Sequence, residues 1–267
     1  MRVTRVHVGQ PLAVGDIVVL PDDAAAHLVR VMRLQPGDAC TLFNGDGNDY
    51  QARLLAANKR GAEVEVTAVE AIGNESPLQV TLLQGIARGE KMDWILQKAT
   101  ELGVAAFVPV ESERSEVRLD AARAGKRLAH WHSVVASACG QSGRARVPVV
   151  EAPRALQPAL DALPGGVARF LLDPVAGDGI ATMDAVGVAC VLAVGPEGGW
   201  SPRDREQLHA AGFTGLRLGP RILRTETAGI AAIAALQAQV TLNEDEALVP
   251  DLEAVERLIG ETLRQVA

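Results

Sequence analysis

Hydrophobic and polar positions along the chain fall into two regimes. Up to about residue 70 the apolar runs are short and the turns close together. Ile17-Val-Val-Leu20 stops at Pro21, and Thr41-Leu-Phe43 and Tyr50–Leu55 flank Asn44-Gly-Asp-Gly-Asn-Asp49, the composition of a hairpin turn. Ala62-Glu-Val-Glu-Val-Thr-Ala-Val69 alternates at period two, which predicts a strand with one buried face. One helix, from about Asp22 to Leu34, interrupts the strands. Several short strands with tight turns predict a small β-barrel.

Gly73-Asn-Glu-Ser-Pro77 reads as a linker, and beyond it the period changes. Leu78–Ile86 predicts a strand. Lys91–Leu102 predicts a helix with Met92, Ile95, Leu96, Ala99 and Leu102 on one face and Gly103 past its end. Further apolar runs at Ala105–Val110, Ala168–Leu172 and Val188–Val194 alternate with helical stretches near 119–139, 154–163, 202–211 and 226–240. Alternating strands and helices predict an α/β domain with a largely parallel sheet. The expected division is 1–72, 77–245 and a tail, 246–267, whose acidic amphipathic pattern predicts a surface helix.

Composition narrows the classes. Apolar residues make up 48% of the 267 and charged residues 22%, so the chain can bury a core. No apolar run reaches the roughly 18 residues of a membrane span, and the first residues lack a signal-peptide apolar core, which predicts a soluble, cytoplasmic protein. Cys40, Cys139 and Cys190 are far apart and the five histidines lack ligand spacing, so neither disulfides nor a metal is expected. The net charge is −7, but residues 241–267 alone carry −5 and residues 86–150 carry +3. An anionic partner is therefore permitted.

Four segments could carry chemistry. Val194-Gly-Pro-Glu-Gly-Gly-Trp-Ser-Pro202 runs from a strand through three glycines to a helix with Ser201 at its cap. Such a loop lets a ligand approach the backbone at the sheet's C-terminal edge, or is a tight structural turn. Leu216–Ala228 holds Arg221, Arg224 and Glu226 just before the all-apolar stretch 228–236, which predicts a helix buried in the fold or at a subunit interface. Gln84-Gly-Ile-Ala-Arg-Gly-Glu-Lys-Met-Asp93 places Arg88 and Lys91 before a helix, where they can hold phosphate or stand as ordinary exposed charges. His27, Arg30 and Arg33, at three-residue spacing, fan over one side of the first helix and can face a nucleic-acid backbone or solvent alone. Phosphate-loop, dinucleotide and nucleophile-elbow motifs are absent.

In this order the segments resemble the RsmE family, SPOUT-class methyltransferases that modify uridine N3 in small-subunit ribosomal RNA. The resemblance rests on His27-Leu-Val-Arg-Val-Met-Arg-Leu34, Arg88-Gly-Glu-Lys-Met-Asp-Trp94, Glu101-Leu-Gly-Val104, Arg114-Ser115 and Gln141-Ser-Gly-Arg144. It closes with Gly195-Pro-Glu-Gly-Gly199 and Leu218-Gly-Pro-Arg-Ile-Leu-Arg-Thr-Glu-Thr-Ala228. It implies a PUA-like N-terminal barrel, a C-terminal SPOUT α/β domain with a deep trefoil knot, and a homodimer. It also implies that S-adenosylmethionine is held by three loops, here Leu172-Asp173-Pro174, Gly195-Pro196-Glu197-Gly198-Gly199, and Leu218 to Thr227 with Gly219, Ile222, Leu223 and Thr225. Leu218, Ile222 and Leu223 are suited to wall the adenine. The family often has Glu-Gln before Ser-Gly-Arg, whereas this chain has Gly140-Gln141.

For methylation at N3, Arg224 is the expected stabiliser of negative charge on the base, with Glu226 and Glu197 as alternative proton acceptors. The expected footprint of 16S ribosomal RNA in the small subunit is His27, Arg30, Arg33, Arg88, Lys91, Arg114 and Arg144. The competing readings are a knotted methyltransferase acting on transfer RNA or ribose 2′-OH, and a non-catalytic RNA-binding assembly protein.

Overall fold

A computed structural model describes residues 4–58, 61–117, 120–177, 179 and 188–244. The acidic stretch expected as a surface helix beyond residue 246 lies outside the described residues.

The N-terminal part is a five-stranded sheet, in spatial order β1-β3-β4-β5-β2. Its strands are β1 (Arg5–His7), β2 (Ile17–Val19), β3 (Ala39–Phe43), β4 (Asn48–Asn58) and β5 (Gly61–Ala71), all pairs antiparallel except β1 with β3. The period-two pattern resolves as expected in β5, where Ala62, Val64 and Val66 are buried and Glu63 and Glu65 lie opposite them. Register shifts at Gln51/Ala52 and Leu54/Ala56 interrupt the long β4–β5 ladder, and such irregularities bend a strand around its core. Leu28, Leu42, Leu54 and Val64 fill that core.

The single helix expected over 22–34 is broken. α1 (Asp22–Ala26) passes directly into a wider π-turn over His27–Val31, closed by the Met32 N–H donating to the His27 carbonyl at 2.9 Å. Arg33 then takes a left-handed conformation, φ 59°. His27, Arg30 and Arg33 consequently do not form the fan of an α-helix, although all three are exposed.

The second part is an all-parallel sheet in the order β12-β10-β11-β6-β7-β8, with β9 also against β7. Its elements run β6 (Gln79–Gly85), α2 (Glu90–Glu101), β7 (Ala106–Glu111), α3 (Ala121–Ser142), β8 (Val149–Val150), β9 (Arg154–Ala155), α4 (Leu156–Asp161), β10 (Ala168–Leu172), β11 (Ala189–Val194), α5 (Pro202–Ala210), β12 (Thr214–Leu216) and α6 (Thr225–Glu244). The helix expected from 154 starts at Leu156, because Arg154 and Ala155 pair with Val110 and Glu111 instead. Helices cover both faces, which is why β11 is apolar throughout and β6 is apolar at Val80, Leu82 and Leu83. One core joins α2, α3 and α6 around Trp131, Leu82 and Leu192; the other gathers Trp200, Phe213 and Leu171 under α4 and α5.

The two parts meet where β1 lies on α3. The Arg5 guanidinium holds Asp49 at 2.5 Å and donates to the carbonyls of Cys139 and Arg144. Gly140 belongs to this contact. A Cβ there would sit 3.3 Å from the Arg5 carbonyl, so the missing side chain lets the sheet approach the helix.

Candidate active site

Three strand-end loops converge at the C-terminal edge of the parallel sheet. They follow β10 (from Leu172), β11 (from Val194) and β12 (from Leu216), and line one cleft of about 400 Å3. That lies within the roughly 300–1,000 Å3 range of small-molecule sites. Of the residues expected at the cofactor, Leu172, Asp173, Gly195, Pro196, Glu197, Gly198, Gly199, Leu218, Ile222, Leu223 and Thr225 line it, as do Arg224, Glu226, Lys91 and Arg114. Gly219 and Thr227 do not line it. Gly219 turns the chain at φ 83°, and Thr227 lies exposed on the first turn of α6.

The Gly195–Gly199 loop is closed by the Gly199 N–H donating to the Pro196 carbonyl at 2.8 Å. A Cβ on Gly195 would meet Gly199 at 3.1 Å, so the tightness of the turn itself demands glycine. Ser201 then caps α5 in a reciprocal box with Asp204, with Pro202 at the first helical position. Arg114 donates to the Gly198 carbonyl at 3.1 Å, seating the 112–115 loop against the same turn.

Glu197 is held at several points. Its Oε1 accepts from the Arg88 N–H at 3.0 Å and lies 3.3 Å from Lys91 Nζ. Partial burial pushes this carboxyl up. The hydrogen bonds from the Arg88 and Glu197 backbone, with the hydrogen bond and charge of Lys91, outweigh that and leave the pKa below the usual 4.5. A carboxylate stabilised in its charged form is a weak proton acceptor, so the geometry fits Glu197 as a clamp on the β11 loop. Glu226 differs: its Oε2 is buried without a partner among the described residues. Arg224 is exposed at the mouth of the cleft.

Thr225 is buried, and its hydroxyl donates to the Gly195 carbonyl at 2.6 Å. That hydroxyl proton is spent inside the protein, so Thr225 serves the cleft by fixing a loop. Asp173 is also buried; its Oδ2 lies 3.3 Å from Arg205, and its Oδ1 accepts from the Val175 N–H. Arg205 is a site residue that the motifs do not indicate. It stands mid-helix in α5, and only the turn of α5 over the β10 loop brings it to the cleft, where its Nε is buried without a partner among the described residues.

The expected RNA residues divide. Arg88 and Lys91 flank Glu197, and Arg88 also reaches Glu116 at 2.8 Å. Arg30 and Arg33 stand exposed on the N-terminal part. His27 lines a second cleft, of about 940 Å3, between the N-terminal sheet and α3, together with His7 and His132. Arg144 does not fit the footprint expected for it. Its side chain is 6% exposed, ion-paired with Glu75, and donates to the Thr100 and Val104 carbonyls. It is a structural cation that ties α3 to the linker.

Burial raises the pKa of Cys40, Cys139 and Cys190 to about 11, so these thiols are protonated at neutral pH. Among the described residues no group of His, Cys, Asp and Glu is placed to hold a metal ion, and no helix is long and apolar enough to cross a membrane.

Residues 74–237 match the RNA methyltransferase domain, and residues 20–67 match the RNA methyltransferase PUA domain. The chain belongs to the RNA methyltransferase family. It is 31% identical over 237 residues to ribosomal RNA small subunit methyltransferase E of Buchnera aphidicola from Schizaphis graminum, covering 88% of this chain and 96% of that one. The Bacillus subtilis protein of the same name is 32% identical, covering 81% and 88%. These are the RsmE family that the motifs resemble. Among solved structures, the Neisseria gonorrhoeae methyltransferase E bound to S-adenosyl methionine is 43% identical with TM-score 0.82, covering 89% of this chain and 98% of that one. A Legionella pneumophila protein solved with bound SAM is 33% identical with TM-score 0.85 and the same coverage.

The residues of the cleft fit that cofactor. Leu172, Leu216, Leu218 and Leu223 offer apolar walls for a purine. Asp173 and Glu226, with Arg205 and Arg224, set charges of both signs on the same lining, which suits a zwitterionic ligand.

Proposed function

We propose that the protein methylates N3 of a uridine in the 16S RNA of the small ribosomal subunit, acting in the cytoplasm as a homodimer. The observation that carries this reading is the convergence of the three loops on one cleft, with Arg224 and Glu226 on its lining. The names of the relatives supply the RNA target.

S-adenosylmethionine, when bound, supplies a methyl group activated by its sulfonium, so the protein's task is positioning and charge. Leu172, Asp173, the 195–199 loop, Leu218, Ile222, Leu223 and Thr225 would hold it. The uracil N3–H proton passes to the Glu226 carboxylate as the methyl group is transferred. As it leaves, negative charge spreads to the base oxygens, and the Arg224 guanidinium stabilises that charge. Glu197 keeps the loop in place through Arg88 and Lys91 and stays ionised throughout.

The homodimer is supported by an uncovered face. Thr227, Ala231, Ala234 and Ala238 lie exposed along one side of α6, whose stretch 228–236 is apolar throughout, and Ile222 before it is 83% exposed. The test of the site is single-turnover methylation by Arg224→Ala and Glu226→Gln, with cofactor binding measured alongside. The expected result is a drop of about 100-fold or more in rate with cofactor affinity kept. Unchanged rates would remove both residues from the chemistry.

A further inference from the structure

The Gln84-Gly85 pair, at the end of β6, is absorbed by neither the cofactor cleft nor the RNA footprint. Neither residue lines the cleft, yet both lie directly behind it. Gln84 is completely buried, on a strand whose neighbours Leu82 and Leu83 are also completely buried. Its Nε2 donates to the Gly85 carbonyl at 2.9 Å and to Thr225 Oγ1 at 3.1 Å. The carbonyls of Val194 and Gly195 lie 3.4 and 3.5 Å away. Thr225 Oγ1 in turn donates to the Gly195 carbonyl at 2.6 Å. One amide therefore connects the end of β6, the start of the β11 loop and the first residue of α6, the last two of which carry the proposed cofactor loops.

Apolar packing alone does not call for a glutamine at this position. The Gln84 Oε1 is buried with no partner among the described residues, a penalty that an apolar residue of the same size would not incur. Gly85 makes the same point by a separate route. A Cβ on Gly85 would lie 2.5 Å from Pro196 Cδ and 2.6 Å from Pro196 N, so the β11 loop rests on the bare backbone of β6. The backbone of Gly85 has no left-handed strain, so the need is for space.

We infer that Gln84 and Gly85 are positioning residues that set the height and orientation of the Gly195–Gly199 loop for cofactor binding. Gln84 pulls the loop toward α6 through Thr225, and Gly85 admits it to its seat. This rests on the reading of the cleft as the S-adenosylmethionine site.

The test compares native protein with Gln84→Met, Gly85→Ala and Thr225→Val, with Thr225→Ser as the conservative variant. S-adenosylmethionine affinity is measured by calorimetry and the thermal midpoint is measured without cofactor. The expected result is an affinity at least about tenfold weaker in the first three. The midpoint of Gln84→Met should stay within about 3 °C of native, and Thr225→Ser should restore most of the affinity. Two outcomes would overturn the inference: affinities equal to native, or weakened affinities that merely follow the fall in midpoint across all the variants. Binding by the native protein separates the two questions. If native protein does not bind S-adenosylmethionine, the reading of the cleft fails; if it binds and the variants bind equally, only the positioning role fails.

Discussion

Individual residues in the cleft are distinguished by what their polar atoms already hold. Glu197 and Glu226 are both acidic residues in motif positions, and the sequence makes each a candidate proton acceptor. The structure separates them by partners: Glu197 is clamped by Arg88 and Lys91, whereas Glu226 Oε2 is buried and unclaimed. The clamp has a pH signature. Because the folded protein depresses the Glu197 pKa below 4.5, its stabilisation is fully present above that value and is lost as pH falls through the lower, folded value. Glu197→Gln is expected to lower the thermal midpoint at neutral pH and to lose less than native protein between pH ~6 and ~3. Parallel curves for the two proteins would show that the clamp contributes nothing. Arg144 carries a different expectation. Removing a buried cation leaves Glu75 unpaired, so Arg144→Ala should cost about 3 kcal/mol in denaturant unfolding, while the salt dependence of RNA binding stays as in native protein.

At the level of elements, the cofactor loop depends on how α5 begins. Ser201 and Asp204 cap each other's backbone N–H groups, and the helix start anchors the end of the glycine turn. Ser201→Ala should cost about 1 kcal/mol, a fall of roughly 2–4 °C in midpoint; an unchanged midpoint would mean water replaces the cap without cost. Much of the element plan is legible in the sequence because periodicity reflects burial. The alternation of 62–69 marks β5, and the stripe Met92, Ile95, Leu96, Ala99 marks α2. The glycine turn and the Arg-Ile-Leu-Arg-Thr-Glu-Thr segment point to the cleft for a similar local reason: tight turns and helix starts have residue requirements. What is not legible depends on contacts distant in sequence. The π-turn at His27 does not follow from a pattern that suits an ordinary helix. Arg154 and Ala155 form a strand only because β7 offers them an edge. The burial of Arg144, the arrival of Arg205 at Asp173 and the reach of Gln84 to Thr225 all need three dimensions, since the partners are 69, 32 and 141 positions apart.

Across the whole molecule, of the cations expected at the RNA, Arg30 and Arg33 on the N-terminal part and Arg88 and Arg114 near the cleft are exposed, and Lys91 is half-buried. Arg5 locks the two parts together through Asp49, Cys139 and Arg144, so these cations are presented on one frame. Replacing Arg30 or Arg33 with alanine should weaken RNA binding and reduce the slope of log affinity against log salt by about 0.7–0.9 for each phosphate the protein no longer neutralises. Cofactor affinity should be untouched. An unchanged slope would take that residue out of the footprint. A polar face across α6 should matter in a different way. Ala231→Glu with Ala234→Glu is expected to yield monomers by sedimentation where the native chain sediments as a dimer; native protein that already sediments as a monomer would rule the dimer out.

The central claim, methyl transfer to uridine N3 in the small subunit, is tested most directly by labelled S-adenosylmethionine. The acceptors are purified small subunits lacking the modification, with free 16S RNA and transfer RNA in parallel. The predicted result is label on the subunits that maps to N3-methyluridine. Label on transfer RNA or on a ribose instead, or no label on any acceptor despite cofactor binding, would contradict it.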